Sequence, residues 1–191
     1  MEHARKTFRH IEYVFLDRDG VINRKPPEGK YVCTWHDFHL LPGTEGAIAA
    51  LNASGRKVIV VTNQRGVALG LYTEDDVRLI HTELQRHLAA YSAHVDAFYF
   101  CPHDNAQCSC RKPEIGLFEQ AFRDFPDASR ANSILIGDSI SDIQAARRLA
   151  IPSIFIPGEP GSRKPGGVEA EAMAEAIAES LAQAVDRYFP L

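Results

Sequence analysis

Short runs of apolar, β-branched or aromatic residues alternate along this chain with stretches whose apolar residues recur at helical spacing, and nothing else limits its folds so sharply. Strands are predicted at residues 13–16, 57–62, 96–100, 133–137 and 153–156. The second, Lys57-Val-Ile-Val-Val-Thr62, is apolar on both faces, as a central parallel strand must be. A helix is predicted at 44–54, with Thr44 as its N-cap and Gly55 turning the chain out of it. A second opens on the capping-box variant Thr73-Glu-Asp-Asp76 and carries Val77, Ile80, Leu84 and Leu88 on one face. Phe118, Ala121, Phe122 and Phe125 mark a third, and 142–149 a short fourth. After a loop holding Pro157, Pro160 and Pro165, a closing helix is predicted at about 168–188, with Met173, Ile177, Leu181 and Val185 four residues apart. This order predicts an α/β fold in which one doubly wound parallel sheet carries helices on both faces. Residues 1–191 read as a single domain with its core at about 12–160.

In such sheets the working groups gather beyond the carboxyl ends of the strands. Asp17, Thr62, the loop beginning at Cys101, and Asp138 each follow a predicted strand directly. Asp17 and Asp19 form one acidic pair, Asp138 and Asp142 another. Carboxylates converging on one rim repel unless a hard cation or a positive side chain sits among them. Mg²⁺ suits that place, because it binds through one or two carboxylates, water and a substrate phosphate. Thr62 and Asn63 add a hydroxyl and an amide donor, and Lys112 a positive charge. An anion clamp beside an activated carboxylate is the arrangement expected for phosphoryl transfer.

Three of the four cysteines lie within ten residues, in Cys101-Pro-His103-Asp-Asn-Ala-Gln-Cys108-Ser-Cys110-Arg111-Lys112-Pro113. Cys101, His103, Cys108 and Cys110 would complete a closed tetrahedral shell for Zn²⁺, which is the pattern of a structural site. The metal would fold the loop and hold Arg111 and Lys112 behind it. Cys33 stands alone and is read as a bystander, and His3, His10, His36, His39, His81, His87 and His94, scattered without ligand spacing, as surface residues.

Asp17-x-Asp19-Gly20, Thr62-Asn63, Lys112 and Gly137-Asp138-x-x-x-Asp142 resemble, in order and spacing, the four motifs of the haloacid dehalogenase-like phosphatases. The resemblance implies a Rossmann-like core with Asp17 as nucleophile and Asp19 as acid and then base. It further implies Mg²⁺ on Asp17, the Asp19 carbonyl and Asp138, Thr62 and Lys112 on the phosphoryl group, and Asp142 behind Lys112. The Cys-x-His…Cys-x-Cys-Arg-Lys-Pro insertion resembles the histidinol-phosphatase and heptose-bisphosphatase branch. Val61-Thr-Asn-Gln-Arg-Gly-Val-Ala-Leu-Gly-Leu-Tyr-Thr73, Tyr31-Val32, Phe38 and Pro42-Gly43 look more like the heptose enzymes. Arg65 stands where those often carry serine, and Ser139 where they often carry lysine. Residues 25–41 are long enough for a rim but not for a cap domain. Substrate contacts are therefore expected from Tyr31, Asn63, Gln64, Arg65 and Arg111.

The net charge of −4 disfavours a nucleic-acid binder. No apolar run is long enough to span a membrane, and residues 1–6 do not lead into a signal-peptide core. The expectation is a cytoplasmic monomer acting on a small sugar phosphate, with Mg²⁺ for catalysis and Zn²⁺ for structure. Histidinol phosphate is the rival substrate. A nucleic-acid 3′-phosphatase and a non-enzymatic zinc module are the rival functions.

Overall fold

The computed structural model describes residues 7–27, 29–158 and 165–190. Residues 1–6, with His3, and Pro160 lie outside them. The elements run β1 (Tyr13–Leu16), α1 (Thr44–Ala53), β2 (Lys57–Asn63), α2 (Arg65–Ala68), α3 (Glu74–Ala89), β3 (Ala97–Cys101) and α4 (Gly116–Asp124). They continue with β4 (Ser133–Gly137), α5 (Ile140–Leu149), β5 (Ser153–Phe155), α6 (Gly167–Met173), β6 (Ala176–Ile177) and α7 (Leu181–Tyr188). The strands form one parallel sheet in the order β3-β2-β1-β4-β5-β6.

Alternate residues of each central strand enter different cores, as the pleat requires. Val14, Leu16, Val58, Val60, Ile134 and Ile136 pack with Ile48 and Leu51 of α1, Ile80 and Leu84 of α3, and Leu181 of α7. Tyr13, Phe15, Ile59, Val61 and Leu135 pack on the opposite face with Leu117 and Phe118 of α4 and Ala145, Ala146 and Leu149 of α5. Phe15 is fully buried, with Phe118 and Phe122 edge-on to it at 5.2 and 5.7 Å. Burying a side chain of this kind stabilises by roughly 1.5–3 kcal/mol.

The chain winds from β1 through β2 to β3, then returns across β1 to begin β4 on its other side. The reversal lies between β1 and β4, where a crevice opens at the strand ends. Asp17 and Asp138 stand on its two sides.

Three expectations are corrected. The closing helix at 168–188 is instead α6, strand β6 and α7. Ala174 takes an extended conformation, and the amides of Glu175 and Ala178 donate to the Ser153 and Phe155 carbonyls, so pairing with β5 overrides helix propensity. Helix α1 starts one residue early, capped by Gly43 at φ 79°, which leaves Thr44 inside it with its hydroxyl donating to the Ile22 carbonyl at 3.2 Å. Finally, His81 is a core residue: its ring stacks on Phe98 at 4.5 Å, because it falls on the same face of α3 as Val77, Ile80 and Leu84. His87 is half-buried against Glu45 at 3.1 Å, whereas His10, His36, His39 and His94 are exposed.

Candidate active site

Asp17 continues β1: its amide donates to the Ile136 carbonyl at 2.9 Å, which fixes the backbone at the crevice. Its Oδ1 accepts from the Arg18 amide at 2.8 Å and lies 2.9 Å from Lys112 Nζ. Both contacts fall on the same oxygen, Oδ1. Beyond it the chain doubles back, with the Arg18 carbonyl accepting from Ile22 and Asn23 and the Gly20 amide donating to Asn23. Gly20 sits at φ 100°, and a Cβ there would collide with the Asp138 carboxylate. Glycine thus serves both the turn and the close approach of the second strand end.

Lys112 is buried, and its Nζ reaches the Val61 carbonyl at 2.7 Å, Asp17 Oδ1 at 2.9 Å and Asp142 Oδ1 at 2.6 Å. Burial alone would push the amine down. The facing charges of Asp142 and Asp17 outweigh it and hold the amine protonated, well above its ordinary range. The Lys112 backbone is clamped as well: its amide donates to Asn63 Oδ1 at 3.0 Å, and its carbonyl accepts from Asn63 Nδ2 at 3.1 Å. The Asn63 side chain therefore fastens the cysteine loop to the end of β2.

Asp142 is fully buried in the first turn of α5. Its Oδ2 accepts from the Ser139 amide at 3.0 Å and hydroxyl at 2.5 Å, a capping box that turns Oδ1 to Lys112. A Cβ on Gly137 would strike this side chain, so the glycine before Asp138 makes room for Asp142.

Asp19 is held by a network invisible in the motif alone. It accepts from Arg18 Nη2 at 2.9 Å, Asn23 Nδ2 at 2.9 Å and Gln64 Nε2 at 3.1 Å. Burial pushes its carboxyl up, but the Arg18 guanidinium and these hydrogen bonds prevail and hold it below the usual value. Gln64, expected at the substrate, is 2% exposed. It bridges Asp19 to Thr62 Oγ1 at 2.9 Å, and its Oε1 accepts from Arg18 at 3.2 Å and Tyr72 at 2.8 Å. The little of it that is exposed lines the cleft beside Asp19.

A cleft of about 270 Å³ opens beside Asp19, lined by Lys25, Lys30, Tyr31, Asn63, Arg65 and Arg111 among others. Arg111 is braced by Asn105 Oδ1 at 2.9 Å, and Arg65 pairs with Asp104 Oδ1 at 2.5 Å, so both cleft arginines are tied to the cysteine loop. Tyr31 stands on the opposite wall, its ring 6.2 Å from Tyr72. The Lys25 ammonium reaches across to Asp138 Oδ2. Motif spacing missed Arg18, Asn23, Lys25, Tyr72 and Asp104. Arg18 alone carried a local signal, a cation between two carboxylates at the end of a buried strand.

Among the described residues, two groups of side chains can hold metals. Carboxylate oxygens of Asp17, Asp138 and Asp142 lie within 4.8 Å of one another, a hard-donor set that suits Mg²⁺. The Asp19 carboxylate turns toward Arg18 instead. In the loop, sulfur–sulfur distances among Cys101, Cys108 and Cys110 are 3.2, 3.2 and 3.5 Å. His103 Nδ1 lies 3.3 and 3.6 Å from Cys110 and Cys101. Tetrahedral zinc with bonds of about 2.3 Å to sulfur and about 2.0 Å to nitrogen sets its ligands roughly 3.5–3.8 Å apart. The four atoms stand slightly inside those corners, and the cysteines are free thiols.

A family model described as HAD-hydrolase-like matches residues 109–184. The D-glycero-alpha-D-manno-heptose-1,7-bisphosphate 7-phosphatase of Mycobacterium bovis is 42% identical over 168 residues, covering 87% of this chain and 86% of the relative. A D-glycero-beta-D-manno-heptose-1,7-bisphosphate 7-phosphatase of Rhodopseudomonas palustris is 39% identical over 76% of this chain and 83% of its own length. The crystal structure of D,D-heptose 1.7-bisphosphate phosphatase from B. bronchiseptica, complexed with magnesium and phosphate, matches with a TM-score of 0.82 and 31% identity. That likeness covers 92% of this chain and 97% of the other.

Proposed function

Because the chain belongs to the D-glycero-D-manno-heptose-1,7-bisphosphate 7-phosphatases, a branch of the HAD-like hydrolases, we propose that it removes the 7-phosphate of a heptose 1,7-bisphosphate. The observation that carries this reading is the buried Lys112 ammonium joining Asp17 to Asp142 at the sheet's switch point. It fixes a nucleophile and a phosphate-binding cation in one geometry. The product would serve nucleotide-activated heptose synthesis for a surface polysaccharide, in the cytoplasm, where reduced thiols suit the zinc loop.

Asp17 Oδ2 attacks phosphorus, and the bond from phosphorus to the sugar oxygen breaks. Lys112 and the Thr62 hydroxyl stabilise charge on the transferring group. Asp19 gives its proton to the leaving oxygen, then takes one from the water that cleaves the aspartyl-phosphate. Its surroundings favour the carboxylate that the second step uses. The dianionic phosphate arriving beside it opposes them and favours the protonated form for the first.

Mg²⁺ on Asp17, the Asp19 carbonyl and Asp138 would supply charge neutralisation of the phosphoryl oxygens. Zn²⁺ on Cys101, His103, Cys108 and Cys110 would brace the loop that aims Lys112 and Arg111. Tyr31, Arg65 and Arg111 would contact the sugar and the distal phosphate, a role that planar guanidinium groups suit.

A phosphate-release assay with α- and β-heptose bisphosphates and histidinol phosphate tests the reading. One phosphate should be released per heptose bisphosphate, and Asp17→Asn should abolish release. Faster turnover of histidinol phosphate overturns the substrate assignment, and activity surviving in Asp17→Asn overturns the nucleophile.

A further inference from the structure

The metal-ligand reading leaves one cation unexplained. Lys25 lies eight residues after Asp17, yet its ammonium is seated on Asp138 Oδ2, with both side chains largely buried (11% and 5% exposed). Among the described side chains, Asp17, Asp138 and Asp142 carry three negative charges and Lys112 returns one positive charge, a net of two negative. A divalent cation satisfies that remainder completely. An ammonium satisfies half of it, and the two cannot share one carboxylate edge without strong repulsion.

The backbone on either side of Lys25 is fixed. The Arg24 amide donates to the His39 carbonyl at 2.7 Å, Asn23 bridges to Leu40, and Pro26 and Pro27 follow directly. Movement is thus confined to the four-carbon side chain, which turns over rotamers without rearranging the loop. Lys25 also lines the anionic-substrate cleft together with Lys30, Tyr31 and Arg111. The same side chain can therefore lie on Asp138 or swing into the cleft.

Resting on the assignment of Asp17 and Asp138 as Mg²⁺ ligands, we propose that Lys25 is a resident counter-cation that Mg²⁺ displaces from Asp138 and hands to the incoming anion. It holds the carboxylates together before the metal arrives, and its release adds a positive charge to the cleft. Metal binding and anion binding then reinforce each other through one side chain, and by linkage each strengthens the other equally.

Isothermal titration of the full chain with Mg²⁺ alone, and then with inorganic phosphate at saturating Mg²⁺, tests this. Lys25→Met should bind Mg²⁺ about tenfold more tightly than the parent and bind phosphate about fivefold more weakly, within the ordinary range of coupling between sites. Lys25→Gln, which keeps a polar chain without the charge, should behave alike, and thermal melts of both verify folding. Equal Mg²⁺ affinity in parent and variants overturns the inference, while the heptose phosphatase reading stands or falls separately on the phosphate-release assay. Tighter Mg²⁺ with unchanged phosphate affinity overturns the transfer to the anion. If neither parent nor variant binds Mg²⁺, the metal assignment falls and takes the inference with it.

Discussion

Lys112 is buried among three acceptors, and its usefulness depends on Asp142 as much as on Asp17. Removing one partner from a buried ion pair costs about 3–5 kcal/mol, because the remaining charge keeps its desolvation penalty. Asp142→Asn should therefore lower the melting temperature by several degrees and reduce kcat by about 100-fold or more, as lost transition-state electrostatics do. A melt and a turnover measurement check both, and parental values in each would remove Asp142 from the clamp. His81 gives a second residue-scale prediction. Burial, with the Arg18 charge assisting, lowers its pKa from 6.5 to about 3. The unfolded chain takes up a proton below 6.5 and the folded chain does not, so stability is lost as pH falls from there toward 3. Between pH 7 and pH 5 the parent should lose about 2 kcal/mol more than His81→Leu in urea unfolding. Asp17, Thr62 and Asp138 could be picked out because each lies at or just past the end of an apolar run, and Lys112 by its place behind the cysteine cluster. The directions taken by the side chains of Arg18, Gln64 and Lys25 could not, since nothing in spacing says which way a side chain turns at a strand end.

Among elements, the cysteine loop does most to connect structure with specificity. Arg65 and Arg111 come from different segments, yet both lean on residues 104 and 105 of that loop. Cys110→Ser should abolish zinc in metal analysis and raise KM for heptose bisphosphate several times more than for a small phosphate ester. Equal effects on the two substrates would mean the loop serves chemistry alone. The Arg65–Asp104 pair itself is partly open to solvent, so Arg65→Ala should change stability by no more than about 1 kcal/mol. The central strands could be read from sequence because burial on both faces leaves an unbroken apolar run. Strand β6 could not. Met173 to Glu179 is rich in alanine and glutamate, good helix formers, and only the waiting edge of β5 makes Ala176 and Ile177 extended. A local signal did exist in Ser180, whose hydroxyl accepts from the Gln183 amide at 3.1 Å and starts α7 afresh.

At the scale of the whole molecule, the winding order puts Asp17 at the end of a central strand, and among the described residues no separate cap domain covers the rim. Under the proposed function, specificity then falls to side chains on residues 25–41 and on the cysteine loop. Meanwhile the two ends of the described chain meet. The Phe8 amide donates to the Tyr188 carbonyl at 2.9 Å, and the Tyr188 hydroxyl donates to the Ile177 carbonyl at 2.8 Å. The Phe8 ring packs 6.0 Å from those of Tyr188 and Phe189. The segment around Phe8, strand β6 and helix α7 are thus buckled together, and such a unit should open cooperatively. In hydrogen exchange, Tyr188→Phe should speed the amides of Phe8 and Ala178 together while those of β1, β2 and β4 keep the parent's protection. Independent rates at the two positions would show that the buckle does not act as one. If it does, the molecule can loosen at its ends, be nicked there or carry a fused partner, without its catalytic rim registering the change.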